Sequence, residues 1–203
     1  PQVLITKKDV SEGGFFAGLA KSAYATFVKD GRWMMIAQGL GVTVLISLCS
    51  FALANLIGAL LCLLMSSRHS AVRRIARIYN ALVKGIPVLV LLMILYYVVF
   101  AGVEIPGIVV AIITFGLFYG SMLCNIFYTG VNSVDKGEIE AAKALGFSQS
   151  ETFRHIVLPN AANSAFDVYT DYFITLTKGT SIVGYVAILD LTKVGDILRA
   201  QTY

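Results

Sequence analysis

EAAKALGFSQSETFRHIVLP, residues Glu140 to Pro159, is the longest mixed polar and apolar stretch in an otherwise oily chain, and hydrophobic segments flank it. From Glu138 to Leu145 the sequence is rich in Ala, Glu, Lys and Leu and has no β-branched run, which predicts a helix. Leu145 stands three residues after Ala142 and four after Ala141, giving that helix one face of small and apolar residues. Gly146 is placed to stop it, because glycine takes a left-handed conformation at little steric cost. Ser148, with Glu151 three residues on, is the pattern of a capping box that starts a second helix. Pro159 lacks a backbone N–H and is expected to turn the chain into a new element. The stretch therefore predicts two short helices at an angle, a shape suited to docking.

The surroundings are those of a membrane. The chain has 203 residues, 57% hydrophobic and 14% charged, against about a quarter charged in soluble domains. No charged residue occurs from Met34 to Ser67, and only Glu104 from Gly85 to Val134. Such runs exceed the ~20 residues that cross a bilayer core, so the chain reads as an all-α integral membrane protein. The net charge of +4 does not suggest nucleic-acid binding, since no basic stripe is interleaved with aromatics. Cys49, Cys62 and Cys124 lie inside apolar runs without metal-ligand spacing and read as small hydrophobes.

Glu140-Ala141-Ala142, three residues, Gly146, nine residues, then Ile156-x-Leu158-Pro159 resembles the EAA loop of bacterial ABC importer permeases. In that family the loop forms coupling helices that sit in a cleft of the cytoplasmic ATPase. Lys84-Gly85-Ile86-Pro87 is similar to the basic-Gly-x-Pro opening of a helix in the polar amino-acid permeases. Lys178-Gly179-Thr180-Ser181 looks like the family's Lys-Asp-Thr-Ser element, with Gly179 replacing the acid. Where the family usually has Glu-x-x-Arg-x-Gly, this chain has Asn125-x-x-Tyr128-x-Gly130, which weakens any carry-over of substrate charge preference.

Taken in order, residues 1–32 are polar. Phe15, Phe16, Leu19, Ala20, Ala23 and Phe27 recur at helical spacing, which fits an amphipathic helix at the membrane surface or a plain linker helix. The stretch also looks like a joint to a fused solute-binding domain. Trp33 stands as an interfacial anchor, and residues 33–203 form the permease domain, with the coupling loop at 135–159. The first span runs from about Met34 to Met65, with Gly39, Gly41 and Gly58 placed for close helix approach. Ser66 to Lys84 carries Arg68, Arg73, Arg74, Arg77 and Lys84 and no acid, a positive-inside loop that also suits anionic lipid. A second span runs from Lys84 to about Phe100. A third, from about Gly107 to Tyr128, has Gly116 and Gly120 as a small-xxx-small pair.

Ala161 to Thr177 contains Asp167 and Asp171, Lys178-Gly179 interrupts it, and an apolar run resumes from Ser181 to Leu191. A broken membrane segment points to a transporter's pathway, since irregular backbone at depth survives where it lines a cavity. Equally, the acids could stand in a vestibule while Lys178 reaches an interface. At least four spans are visible, and a further C-terminal span is expected beyond Tyr203, as the chain reads as a piece of a longer product.

No Gly-x-x-x-x-Gly-Lys phosphate cradle occurs, and His69 and His155 lack metal-ligand spacing. No catalytic or metal site is expected, and the resemblance puts ATP and Mg on a partner. It implies a type I ABC importer transmembrane domain of MetI-like fold, in a bacterial cytoplasmic membrane. The implied partners are two ATPase subunits, a second permease copy as a homodimer, a solute-binding protein and an amino-acid substrate. Coupling would fall to Glu140, Ala141, Ala142, Gly146, Ile156, Leu158 and Pro159. A side chain at Gly146 is expected both to clash and to block the turn. Asn125, Tyr128, Lys178, Thr180 and Ser181 are the pathway candidates. The other class of reading is a membrane channel or scaffold with no ATPase partner, in which the helical loop would be dispensable.

Overall fold

The computed structural model describes residues 18, 22–24, 26–27 and 31–202. The expected pre-membrane helix falls almost wholly outside those residues. Among the described residues the chain is helical, without strands. It forms α1 (Arg32–Met65), α2 (Ser70–Gly85), α3 (Val88–Ile94), α4 (Gly107–Asn132), α5 (Lys136–Ala144), α6 (Gln149–Thr152), α7 (Leu158–Gly179) and α8 (Leu191–Thr202). α1 and α4 are long and apolar enough to cross a membrane; α2 and the segment Val88–Val99 pass the same test only as a pair, with a bend of 102° at the break between them. α7 has 22 residues, about 33 Å at 1.5 Å per residue, but carries Asp167, Asp171 and Lys178.

Two compact units divide the chain. The larger, Ile46–Gly179, is built on α4. α1 is apolar all round and runs parallel to α4, and glycines set how close they come. A Cβ on Gly120 would lie 2.8 Å from Ile57 and 3.2 Å from the Ala54 carbonyl oxygen. One on Gly116 would strike Leu53, and one on Gly58 would lie 2.9 Å from Leu123 Cβ and 3.0 Å from the Gly120 oxygen. The Gly116–Gly120 pair is thus the seam against α1, the close-packed crossing that small residues permit. α7 packs against a neighbouring face of α4, antiparallel to it. Gly130 abuts the Ala161 carbonyl oxygen at one end, and the Tyr119 hydroxyl donates to the Thr175 carbonyl at 3.3 Å toward the other. α7 also meets α1, where Phe51 stacks edge-on against Phe173 and the Tyr169 hydroxyl donates to Asn55 Oδ1 at 3.0 Å. Asn55 is therefore a packing residue.

Ser66 to Lys84 is not an open loop. Its greater part is α2, whose Val72, Ala76, Tyr79, Asn80 and Val83 follow a helical period and turn inward, with Ala76 and Asn80 buried. Pro87 stands at the N-cap of α3, with ψ 136°. α3 closes in a π-helical turn, Leu95–Val99.

The smaller unit holds the described residues up to Leu45 and those from Thr180 on. Here α7 gives way after Gly179 to a 3-10 turn, Thr180–Val186, where the sequence predicted an interruption. Asp190, buried, accepts from the backbone N–H groups of Thr192 and Lys193 and so caps α8. The Leu191 N–H donates to Thr43 Oγ1, and Gly39 lies where a Cβ would press on the Asp190 carbonyl at 3.0 Å. Gly41, expected to do likewise, faces open space.

Candidate coupling surface

α5 starts where the Asp135 carboxylate accepts from the Gly137 N–H at 2.8 Å, an N-cap beside Glu138 in the first turn. Its inward face is Ile139 and Ala142. Ala142 is buried, and Ile139 packs against Val134, Val157 and Ala161 beneath the loop. This differs from the expected face: Ala141 and Leu145 point outward, Leu145 with 79% of its surface exposed. The reason is that the apolar support lies at the α4–α7 end, and only the 139/142 side of α5 reaches it. Asn160, near the start of α7, donates to the Glu138 carboxylate at 2.6 Å and fastens the first turn from the side.

The stop at Gly146 is as predicted in conformation, with φ +86°. The Phe147 N–H reaches back to the Ala142 carbonyl at 3.1 Å and the Gly146 N–H to that of Lys143 at 3.0 Å. These two bonds make a complete Schellman closure. The expected clash is absent, since a Cβ on Gly146 would meet nothing within 4 Å. Within this chain, conformation alone demands the glycine.

Ser148 then caps α6. Its hydroxyl accepts from the Glu151 N–H, while the Ser148 N–H donates to the Glu151 carboxylate at 2.8 Å. The Ser148 hydroxyl also donates to the Glu151 carboxylate at 2.7 Å, and that bond, with the one from the Ser148 N–H, holds the Glu151 carboxyl below its usual range. Pro159 does not end the helix. α6 passes into a π-helical turn, Phe153–Val157, where the Leu158 N–H reaches the Phe153 carbonyl, and α7 follows directly. The extra residue in that turn shifts the bonding register just ahead of the ring, so the missing N–H and the ring's bulk are absorbed without a break. The result is an outward surface of Glu140, Ala141, Leu145, Gly146 and Phe147, with Leu158 and Pro159 exposed and Ile156 half-buried. Phe147 and His155 face each other edge-on across it, 6.5 Å apart.

Asn125, Tyr128 and Lys178, all in the larger unit, do not gather at one point. Asn125 lies in α4, where its Oδ1 accepts from Asn80 Nδ2 at 3.0 Å and its own amide donates to the Ser121 carbonyl. It also borders an open groove of about 320 Å³ between α4 and α7, shared with Thr129, Ser133, Ser164 and Val168. Tyr128 is one turn further along α4. Lys178 is in the last turn of α7. By the antiparallel pairing of Gly130 with Ala161 and Tyr119 with Thr175, Lys178 lies about 15 Å along the bundle from Asn125. Thr180, buried, and Ser181, exposed, open the 3-10 turn. The sequence reading missed Asn80 as the buried partner of Asn125, although a lone amide four residues from Ala76 on an inward face was its signal.

Residues 54–194 match the family described as "Binding-protein-dependent transport system inner membrane component". A probable amino-acid ABC transporter permease protein, YckA of Bacillus subtilis (strain 168), is 30% identical over 83% of this chain and 75% of its own length. A putative glutamine transport system permease protein, GlnP of Rickettsia bellii (strain RML369-C), is 30% identical over 84% and 79%. Among solved structures, an amino acid ABC transporter with histidines superposes with a TM-score of 0.77 at 23% identity, covering 94% of this chain and 84% of that one. The inward-facing MetNI methionine ABC transporter superposes with a TM-score of 0.66 at 20% identity, covering 87% and 93%. The fold is that of an ABC importer transmembrane domain, and the chain belongs to the family of binding-protein-dependent transport system inner membrane components.

Proposed function

We propose that this chain is the permease subunit of an ATP-driven importer that moves polar amino acids across a bacterial cytoplasmic membrane by alternating access. One observation carries the reading: the loop around Gly146 is closed by a complete Schellman motif, started by a capping box, and seated on Val134, Val157 and Ala161. A surface so fixed relative to α4 and α7 can pass a push from an ATPase to the spans. Glu140, Ala141 and Gly146 face outward to meet it, Ala142 anchors the helix from within, and Ile156, Leu158 and Pro159 join the surface to α7. ATP and Mg belong to the ATPase, in two copies. A second permease copy completes the pathway as a homodimer, and a solute-binding protein or fused domain delivers the substrate. The amino-acid preference is supported by the named relatives at 30% identity. Uptake of labelled amino acids into proteoliposomes of the assembled complex tests the proposal. Uptake should require ATP hydrolysis and the binding protein, and Gly146→Asp should abolish it. Flux that needs no ATP and survives Gly146→Asp would instead fit a channel.

A further inference from the structure

α2 carries three faces on one turn of the wheel, at about 100° per residue. The inward face, with Ala76 and Asn80 buried, lies against α4 and the end of α1, where Asn80 meets Asn125 and the Met65 sulfur. Beside it runs an apolar stripe, Ile75, Ile78 and Leu82, exposed by 68%, 53% and 62%. On the third side, about 120° round the wheel from that stripe, stand Arg74, Arg77 and Lys84, all exposed. Arg73 is committed elsewhere, donating to the Ser67 carbonyl at 3.0 Å. No acid occurs between Ser66 and Gly85.

Position supplies the occupant. α2 sits at the Met65 end of α1, the end of the bundle where α4 leads into the coupling surface, and turns by 102° into α3. A helix near perpendicular to a membrane segment, level with the end of another, lies along the interface. There, a stripe of Ile and Leu faces the acyl layer, and cations beside it meet phosphate headgroups. We infer that α2 is an interfacial helix that recruits anionic phospholipid, with Ile75, Ile78 and Leu82 in the acyl layer and Arg74, Arg77 and Lys84 on the headgroups. The cations select the lipid, and the apolar stripe fixes the depth. This inference stands whether or not the substrate is an amino acid.

The test places a tryptophan in the stripe, I78W in a W33F background that leaves no other tryptophan. The full chain is reconstituted in equal mixtures of phosphatidylcholine and phosphatidylglycerol, with one or the other lipid brominated as quencher. Brominated phosphatidylglycerol should quench better, corresponding to a local preference of at least about fivefold, the share of a single engaged cation. That preference should fade near 1 M salt, where the Debye length is about 3 Å. R74Q/R77Q/K84Q should keep the quenching but lose the preference, and R74K/R77K should retain it, which separates charge from misfolding. Equal quenching by both lipids overturns the headgroup assignment. No quenching by either overturns the acyl-layer placement and puts water or a protein on the stripe.

Discussion

Replacing Gly146 with alanine perturbs one backbone conformation and no contact within the chain. The residue sits at φ +86°, a region that costs an L side chain about 1–2 kcal/mol. A Cβ there meets nothing within 4 Å, so no steric term adds to that cost. The strain falls on the bonds that the left-handed turn closes, Phe147 N–H to the Ala142 carbonyl and Gly146 N–H to that of Lys143. In Gly146→Ala the Phe147 amide should therefore exchange hydrogen about five- to thirty-fold faster, the factor that corresponds to 1–2 kcal/mol. Asparagine enters the left-handed region more readily than alanine. Gly146→Asn, though bulkier, should therefore fall between glycine and alanine in exchange rate. Coupled ATP hydrolysis by the assembled transporter should follow the same order, Gly above Asn above Ala. An exchange rate unchanged in Gly146→Ala would refute the conformational argument. An order in which asparagine is worse than alanine would show that side-chain volume at the partner, rather than backbone conformation, decides.

Other perturbations have equally definite outcomes. Ser148→Ala should destabilise the start of α6 by about 1 kcal/mol, read as faster exchange of the Glu151 amide that now donates to the Ser148 hydroxyl. Because the Glu151 carboxyl is held below its ordinary value, its share of the capping box is present above that value and is lost as pH falls through the lowered one. Amide protection at Ser148, corrected for intrinsic exchange, should drop in that acidic window in the wild type and stay flat in Glu151→Gln. Gly58→Ala should lower the thermal midpoint of the purified chain by the equivalent of about 1–3 kcal/mol, since its Cβ would press on the Gly120 carbonyl oxygen at 3.0 Å. Gly41→Ala, which faces open space in the same helix, should be neutral or stabilising by up to ~1 kcal/mol. Asn80→Ala strands Asn125 Oδ1 and should cost about 1–3 kcal/mol. A double-mutant cycle with Asn125→Ala should return a coupling energy of at least about 0.5 kcal/mol.

What the sequence made legible was mostly local. The Gly146 stop and the Ser148–Glu151 box depend on residues within five positions of one another, so their spacing alone announced them. The apolar spans were legible because a charge-free run longer than a bilayer core has few other uses, and Gly116–Gly120 because small residues at that spacing mark a seam. The rest depended on neighbours far along the chain. Which face of α5 turns inward is decided by Val157 and Ala161, beyond the next helix, and not by the i, i+4 pattern of Ala141 and Leu145. Pro159 reads as a breaker in isolation, yet a π-helical turn just before it keeps the helix whole. The arginines of α2 masked a regular inward period of Val72, Ala76, Tyr79 and Val83. Asn125 found its partner 45 residues away, a distance that no local pattern encodes.

The most direct measurement is ATP hydrolysis by the transporter, purified with its ATPase and binding protein and placed in lipid, against a panel of single amino acids. Stimulation by one or a few polar amino acids, lost in Gly146→Asp while the complex stays assembled, is the expected result. A stable complex whose hydrolysis ignores every amino acid would contradict the substrate. Failure of any ATPase to co-purify would contradict the reading of Glu140 to Pro159 as the surface that couples this chain to ATP.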